Sequence, residues 1–323
     1  MPIYCCFWDA YPQHGSLRTP AIGRCLLQPQ SYSHCSCYKA CKCHPVFEGR
    51  RLLIASQHKK EVVLSPLLKE ALGVIPVTCK ALDTDQLGTF TGEIERAYDP
   101  LTTARKKCVL GMELSGTDLA VASEGSFGPH PVIPFATAGD EMIILVDKKN
   151  GLEIAAREIT TNTNFSGALV DDETTLSAFA EKALFPSHGL ILSDGSTNKQ
   201  HITKGISSWN ELMECFQTMT GKQMKIYVES DMRAMFNPTR MKTIGKTCEK
   251  LIEKIKSTCP ICQCPGFSVS SVQGGLPCSL CGRKTRSTLL HLYHCQRCQH
   301  QEIKRYPHQK SEEDPMYCDY CNP

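Results

Sequence analysis

The chain has 323 residues, 36 of them basic and 33 acidic, for a formal charge of +3 at neutral pH, and 41% of its residues are hydrophobic. That length holds a domain of enzyme size with a small appendage, and the near balance of charge argues against a dedicated nucleic-acid binder. No apolar run reaches the roughly 18 to 20 residues of a membrane-spanning helix; with no export signal read at the start, the cytoplasm is the expected compartment and no membrane partner is expected.

Residues 1–45 carry Cys5, Cys6, Cys25, Cys35, Cys37, Cys41 and Cys43 without an apolar periodic face. They are expected to form a disordered extension, with a metal-binding arm as the alternative. From Arg51 the pattern resembles βαβ. Leu52–Ala55 is a short buried strand. Val63, Leu64, Leu67, Leu68 and Leu72 then recur at helical spacing, and Gly73 ends that helix. Val74–Cys79 gives a second strand, and Asp83–Tyr98 a polar loop. Asp99-Pro100 is an N-cap with proline at the first helical position, opening a helix that runs to about Leu114. Strands are expected at Leu119–Ala122, Met142–Val146, Leu152–Glu158, Leu190–Leu192 and Lys225–Val228, and helices at Glu173–Leu184 and Trp209–Met219. A last helix starts near Thr239, with Met241, Ile244, Cys248, Leu251 and Ile255 on one face. Alternating strands and helices predict an α/β core over 46–256 on a mixed or parallel sheet.

Residues 257–323 are different. Four Cys-x-x-Cys pairs follow one another: Cys259/Cys262, Cys278/Cys281, Cys295/Cys298 and Cys318/Cys321. Each pair puts two thiolates on one tight turn, and two turns complete a four-cysteine cage around Zn²⁺. Eight ligands make two structural zinc sites in a double zinc-ribbon module. The spacers of 15 and 19 residues favour joining the first pair with the second and the third with the fourth; the nested alternative joins the first with the fourth. Basic and aromatic residues around the pairs, including Arg283, Lys284, Arg286, Arg297, Lys304 and Arg305, fit contact with nucleic acid. Each four-thiolate zinc centre is formally −2, however, and a structural role is the preferred reading.

Three polar segments border strands, where α/β proteins place their sites. Ser56, His58, Lys59 and Lys60 precede a helix and make a phosphate cradle, joined by Arg105 of the cluster Arg105-Lys106-Lys107. Asp83, Asp85 and Glu93 lie in the polar loop and, with Glu124, offer oxygen ligands suited to Mg²⁺. The run from Ala122 to Pro131 is read as a strand leading into a glycine-rich loop, with Glu124 as metal ligand or general base and His130 as a second proton carrier. Asp140, Glu141 and Asp147 add carboxylates nearby, and Glu229–Arg240 adds acids and arginines at a later strand end. Ser123 or Ser126 as an acyl-transfer nucleophile is a weaker idea, because no Gly-x-Ser-x-Gly elbow is present.

These residues also carry a resemblance. His58-Lys59-Lys60-Glu61, Asp83-Thr84-Asp85, Gly88–Glu93, Ala122–Pro131, Thr163-Asn164-Phe165, Glu229–Met241 and the ending Cys318–Pro323 resemble, over about 47–323, the bacterial family known as domain of unknown function 6671. That resemblance implies no established activity. A looser similarity is to the pyrophosphatases that cleanse noncanonical nucleoside triphosphates. It rests on the order of Ser56–Lys60, Thr89-Phe90, Arg105–Lys107 and Ser123–Ser126. The loop lacks their asparagine, and one Glu124 stands where they have two aspartates. The expected function is metal-dependent hydrolysis of a nucleotide or other phosphorylated small molecule. Lys59 and Lys60 would hold phosphate, with Asp85 and Glu124 on metal or water. The competing expectation is a binding module in which the zinc segment recognises nucleic acid or a protein and the core senses a ligand.

Overall fold

The computed structural model describes residues 46–83, 98–195, 201–221 and 225–323. The cysteines of 1–45 and the expected ligands Asp85 and Glu93 lie outside the described residues.

Two layers of helix enclose the first sheet. β1 (Arg51–Ile54) leads through α1 (Glu61–Leu72) to β2 (Ile75–Val77), and α2 (Pro100–Ser115) leads to β3 (Leu119–Pro129). α1 ends on Gly73 in the left-handed conformation at φ 67°. α2 starts where Asp99 accepts from the backbone N–H groups of Leu101 and Thr102, and ends at Gly116. β4 (Thr137–Asp147) and β5 (Leu152–Thr160) complete the order β2-β1-β3-β4-β5. The first three of those strands are parallel, and β3, β4 and β5 are antiparallel. The sheet is therefore mixed, with α1 and α2 as its crossovers.

Here the structure departs from the sequence expectation. Residues 123–129 are not a loop: β3 runs on to Pro129, pairing with β4 from Leu119↔Asp147 to Pro129↔Thr137. Ser and Gly are poor strand formers singly, but eleven cross-strand pairs override that preference. Phe127 lies over its partner Gly139, where a Cβ would stand 2.9 Å from the ring. Side chains alternate faces along the strand. Val121 and its partner Leu145 pack with Ile143 against α1 and α5 (Pro238–Lys256); Ala120, Ala122, Ile144 and Val146 pack with Cys108 and Met112 of α2.

A second lobe is inserted between β5 and α5. β6 (Gly167–Val170), α3 (Glu173–Lys182), β7 (Leu190–Ser193), β8 (Ile202–Ile206), α4 (Trp209–Thr220) and β9 (Ile226–Ser230) form an antiparallel sheet in the order β6-β9-β7-β8. Leu176 and Ala180 of α3 and Leu212 and Phe216 of α4 fill its core. The two chain crossings are fastened together. Asn237 donates to Asn164 Oδ1 at 2.8 Å, and Ser230 Oγ donates to the Asn164 carbonyl at 2.6 Å.

The cysteine-rich segment is an antiparallel sheet of β10 (Ser268–Gly274), β11 (Thr288–His294) and β12 (Gln301–Arg305). It docks on β5, the edge of the first sheet. Leu152 packs with Cys259, Cys264, Phe267 and Cys295, and Gln296 exchanges hydrogen bonds with the Glu153 backbone. That contact covers the start of the β5 edge.

Candidate functional site

The four Cys-x-x-Cys pairs fold into four copies of one turn. The N–H groups of Gln263, Gly282, Gln299 and Asn322 donate to the carbonyls of Cys259, Cys278, Cys295 and Cys318 at 2.9 to 3.0 Å. Gln263, Gly282 and Gln299 have positive φ. The eight thiols gather as Cys259, Cys262, Cys295 and Cys298, and as Cys278, Cys281, Cys318 and Cys321, each group within 4.8 Å. Sulfurs are 3.6 Å apart for Cys259–Cys298, 3.5 Å for Cys262–Cys295, 3.9 Å for Cys278–Cys321 and 3.7 Å for Cys281–Cys318. A tetrahedron with Zn–S bonds of about 2.3 Å puts sulfurs roughly 3.8 Å apart, so both groups fit a zinc ion.

The partnership corrects both pairings expected from the spacers: first joins third, and second joins fourth. The intervening strands dictate this. β10 and β11 pair with Ser268 opposite His294, which brings the turn after β11 back beside the turn before β10. β12 runs back along β11, from His294↔Gln301 to Leu290↔Arg305, and returns the chain to the far end. The seven residues of β10 separate the two cages by roughly 20 Å or more. Basic side chains expected to face nucleic acid are partly engaged. Arg286 pairs with Asp319 at 2.9 Å, and Arg283 stacks 3.6 Å over the Tyr320 ring.

In the core, a buried charge cluster sits where β1 ends and β3 continues past it. After Ile54 the chain leaves the sheet through Ser56–Lys60, with Lys59 at φ 55°. A non-glycine residue in that region is uncommon; here the turn leaves Lys59 exposed while Lys60 is 5% exposed. Lys60 Nζ donates to Ser123 Oγ at 2.9 Å and to the Ser123 carbonyl at 3.0 Å, and lies 3.8 Å from Glu141 Oε1. On the same face Arg240 of α5 donates from Nε to Glu141 Oε2 at 3.1 Å and from Nη1 to the Met232 carbonyl at 2.6 Å. Gly125 makes room for that pair. A Cβ there would overlap Glu141 Oε2 and stand 2.6 Å from Arg240 Nη2. On the opposite face, Lys107 of α2 pairs with Glu124. Arg233 pairs with the buried Asp231 at 2.6 Å.

The electrostatics follow from burial and crowding. Burial, then the nearby Arg240 guanidinium, pushes the Lys60 ammonium down to about 8, against the pull of Glu141 and Glu124. Burial, then the charges of Lys60, Arg240, Arg233 and Lys107, pushes the His58 imidazole down to about 3. Lys60, Arg240, Arg233 and Lys107 thus lie near His58, and among the described residues Glu141, Asp231 and Glu124 pair with them.

Several expected site residues are not brought here. Arg105 donates from Nε to both oxygens of Glu153 at 2.8 Å and is committed to β5. His130 is beyond the end of β3, six residues from Glu124, or roughly 20 Å along an extended strand. Its Nδ1 accepts the N–H groups of Val132 and Ile133 and so caps the hairpin turn. Asp147 binds Arg50 at the far end of β4, and Asp140 binds Arg157. Asp83 accepts from Gln57 at 3.4 Å, beside the Ser56 loop. Glu124, expected as a metal ligand or base at a loop, is instead mid-strand, buried and held by Lys107. Sequence reasoning gave Glu141, Lys107 and Ser123 minor parts. The signal that would have found them is a charged residue inside each of two long apolar strands, since a buried charge requires a partner.

A family model described as Domain of unknown function (DUF6671) matches residues 107–323, about two thirds of the chain, and the chain belongs to that family. The motifs between positions 58 and 93 lie ahead of the matched stretch. No curated protein matches significantly. Among solved structures, the crystal structure of lipoprotein GNA1162 from Neisseria meningitidis is similar over 42% of this chain and 96% of that one, at 15% identity and a TM-score of 0.19, too low to carry an argument.

Proposed function

We propose that this member of the DUF6671 family binds a phosphorylated small molecule where β1 ends beside the middle of β3 and hydrolyses its phosphoester, with two Zn²⁺ ions in purely structural roles. The observation that carries the reading is the set of oriented cations beside His58, of which Lys60, Arg240 and Lys107 are buried. An anion entering there meets fixed cations at low dielectric, where each is worth more than at the surface. Lys60, already aimed at Ser123 Oγ, would hold the phosphate as a cation. Mg²⁺ would enter on the ligand's own phosphate oxygens rather than on Glu124, whose carboxylate is engaged by Lys107. Zinc belongs to the scaffold because the first cage packs on β5 through Leu152 and Cys259, remote from Ser123 and Lys60 in the sheet order.

The test is calorimetry and thermal shift on the zinc-loaded full chain with inorganic phosphate and a panel of phosphate monoesters, followed by phosphate-release assays on those that bind. Binding should weaken with salt and fall at least about tenfold in Lys60→Met, the equivalent of one lost charge-assisted hydrogen bond. A folded protein that none of these anions stabilises at millimolar concentration would overturn the reading.

A further inference from the structure

The β3–β4 hairpin outruns its sheet. β1 leaves β3 at the pair Ile54↔Val121, and β5 leaves β4 at Gly139↔Thr160, yet β3 and β4 stay paired as far as Pro129↔Thr137. The turn beyond that pair presents Pro131, Val132, Ile133, Pro134 and Phe135, all exposed, with Val132 at 80% and Phe135 at 93%. Apolar residues scattered singly over a surface need no explanation, but an unbroken exposed run of them does. No Asp, Glu, Lys or Arg occurs from Gly125 to Gly139. The charges that flank this stretch are neutralised, Glu124 by Lys107 and Asp140 by Arg157.

The backbone of the turn is also prepared to leave water. Pro131 and Pro134 have no N–H to satisfy. The N–H groups of Val132 and Ile133 donate to His130 Nδ1 at 3.1 and 3.0 Å. The His130 N–H donates to the Ala136 carbonyl at 2.7 Å, and the Ala136 N–H donates to the Ile133 carbonyl at 3.1 Å. A turn that stays in water has no need of this, because water pairs with any free N–H. An apolar medium does not, and an unpaired amide there is costly.

We propose that this tip inserts into the interfacial layer of a lipid bilayer, with Val132, Ile133 and Phe135 at the boundary between headgroups and acyl chains. Irregular backbone does not enter the hydrocarbon core, so insertion stops at that boundary, about 5–10 Å deep. Such a tip enters one leaflet only and needs no apolar run of spanning length. A protein partner fits less well. A stable protein interface buries about 800 Å² on each side, whereas the tip offers Pro131 to Phe135 alone. Because the tip and its base carry no net charge, the anchoring is hydrophobic and takes zwitterionic lipid as readily as anionic lipid.

Flotation of the zinc-loaded full chain with vesicles of pure phosphatidylcholine, and with vesicles of an equimolar phosphatidylcholine–phosphatidylserine mixture, tests this. The protein should float with both at millimolar lipid and in similar proportion. Phe135→Ser should weaken binding at least about tenfold, the effect of withdrawing one large apolar side chain, and adding Val132→Ser should abolish flotation. Both positions are exposed, so zinc content and urea midpoint should match the parent. Phe135→Trp should keep binding and add an indole emission that shifts to the blue on vesicles and is quenched by brominated lipid. Failure of the folded parent to float, flotation only with phosphatidylserine, or a Phe135→Ser protein that floats like the parent would overturn the proposal. A parent that is dimeric in solution and becomes monomeric in Phe135→Ser would assign the tip to a second copy and overturn it as well.

Discussion

Substituting Gly125 by alanine tests whether the buried Glu141–Arg240 pair organises the core. Gly125 sits in β3 directly opposite Glu141. Its added Cβ would overlap Glu141 Oε2 and press on Arg240 Nη2 at 2.6 Å, and both side chains are 2% exposed, so neither has room to retreat. Separating a buried ion pair strands two charges in low dielectric, at a cost of roughly 3–5 kcal/mol, with local overpacking adding about 1 kcal/mol or more. A destabilisation of about 3 kcal/mol or more is expected. For a chain of 323 residues, at about 2.1 cal/mol/K of unfolding entropy per residue, that is a fall in Tm of roughly 4–5 °C. The same strand supplies the control: a Cβ on Gly128 meets nothing within 4 Å, so Gly128→Ala should stay within about 0.5 kcal/mol of the parent. Urea unfolding with an unchanged m value reads both variants. If Gly125→Ala matches Gly128→Ala, the pair yields without penalty, and the account of a rigid, preorganised cluster is wrong.

Metal analysis should find two zinc ions per chain. Cys259→Ser or Cys295→Ser should reduce zinc to one and loosen the segment from β5, and the double variant Cys259→Ser/Cys295→Ser should still hold one ion at the Cys278 site; loss of both ions from the double variant would contradict the interleaved pairing. Because Lys60 titrates near 8 when folded and near 10.4 when unfolded, the unfolded chain binds more protons between those values. Stability should rise as pH increases from about 8 to 10, and that rise should vanish in Lys60→Met, as followed by urea midpoints. His58 is held neutral down to about 3, so its contribution is full above 6.5 and is lost as pH falls from 6.5 towards 3; His58→Asn should flatten that acid limb in a thermal-melt series. Glu124→Gln leaves Lys107 buried without its carboxylate and should destabilise the fold by roughly 3 kcal/mol, whereas Glu124→Leu combined with Lys107→Met should cost less than either change alone in a double-mutant cycle.

The sequence by itself determined what is local. The cap at Asp99, the left-handed stop at Gly73, the apolar face of α5 and the four Cys-x-x-Cys turns depend on residues within about five positions of one another or on one helix face, and each is legible in the chain. Both cages, the mixed α/β class and most elements of the core follow from such signals. What tertiary structure decided is which local pieces meet. Ser and Gly at 123–128 read as a loop until eleven pairs with β4 make them strand, and that change buries Glu124 and carries His130 away from it. The second lobe's β6 and β8 are short and carry only partial apolar patterns, so pairing with β9 and β7 defines them. Alternation along β3 puts Ser123 and Glu141 with Lys60 on one face and Glu124 with Lys107 on the other. Cysteine spacing sets how many cages form, but not their partners: an antiparallel strand carries each successive turn to the opposite end of its sheet, so neighbours in sequence end roughly 20 Å apart and alternate turns share a metal.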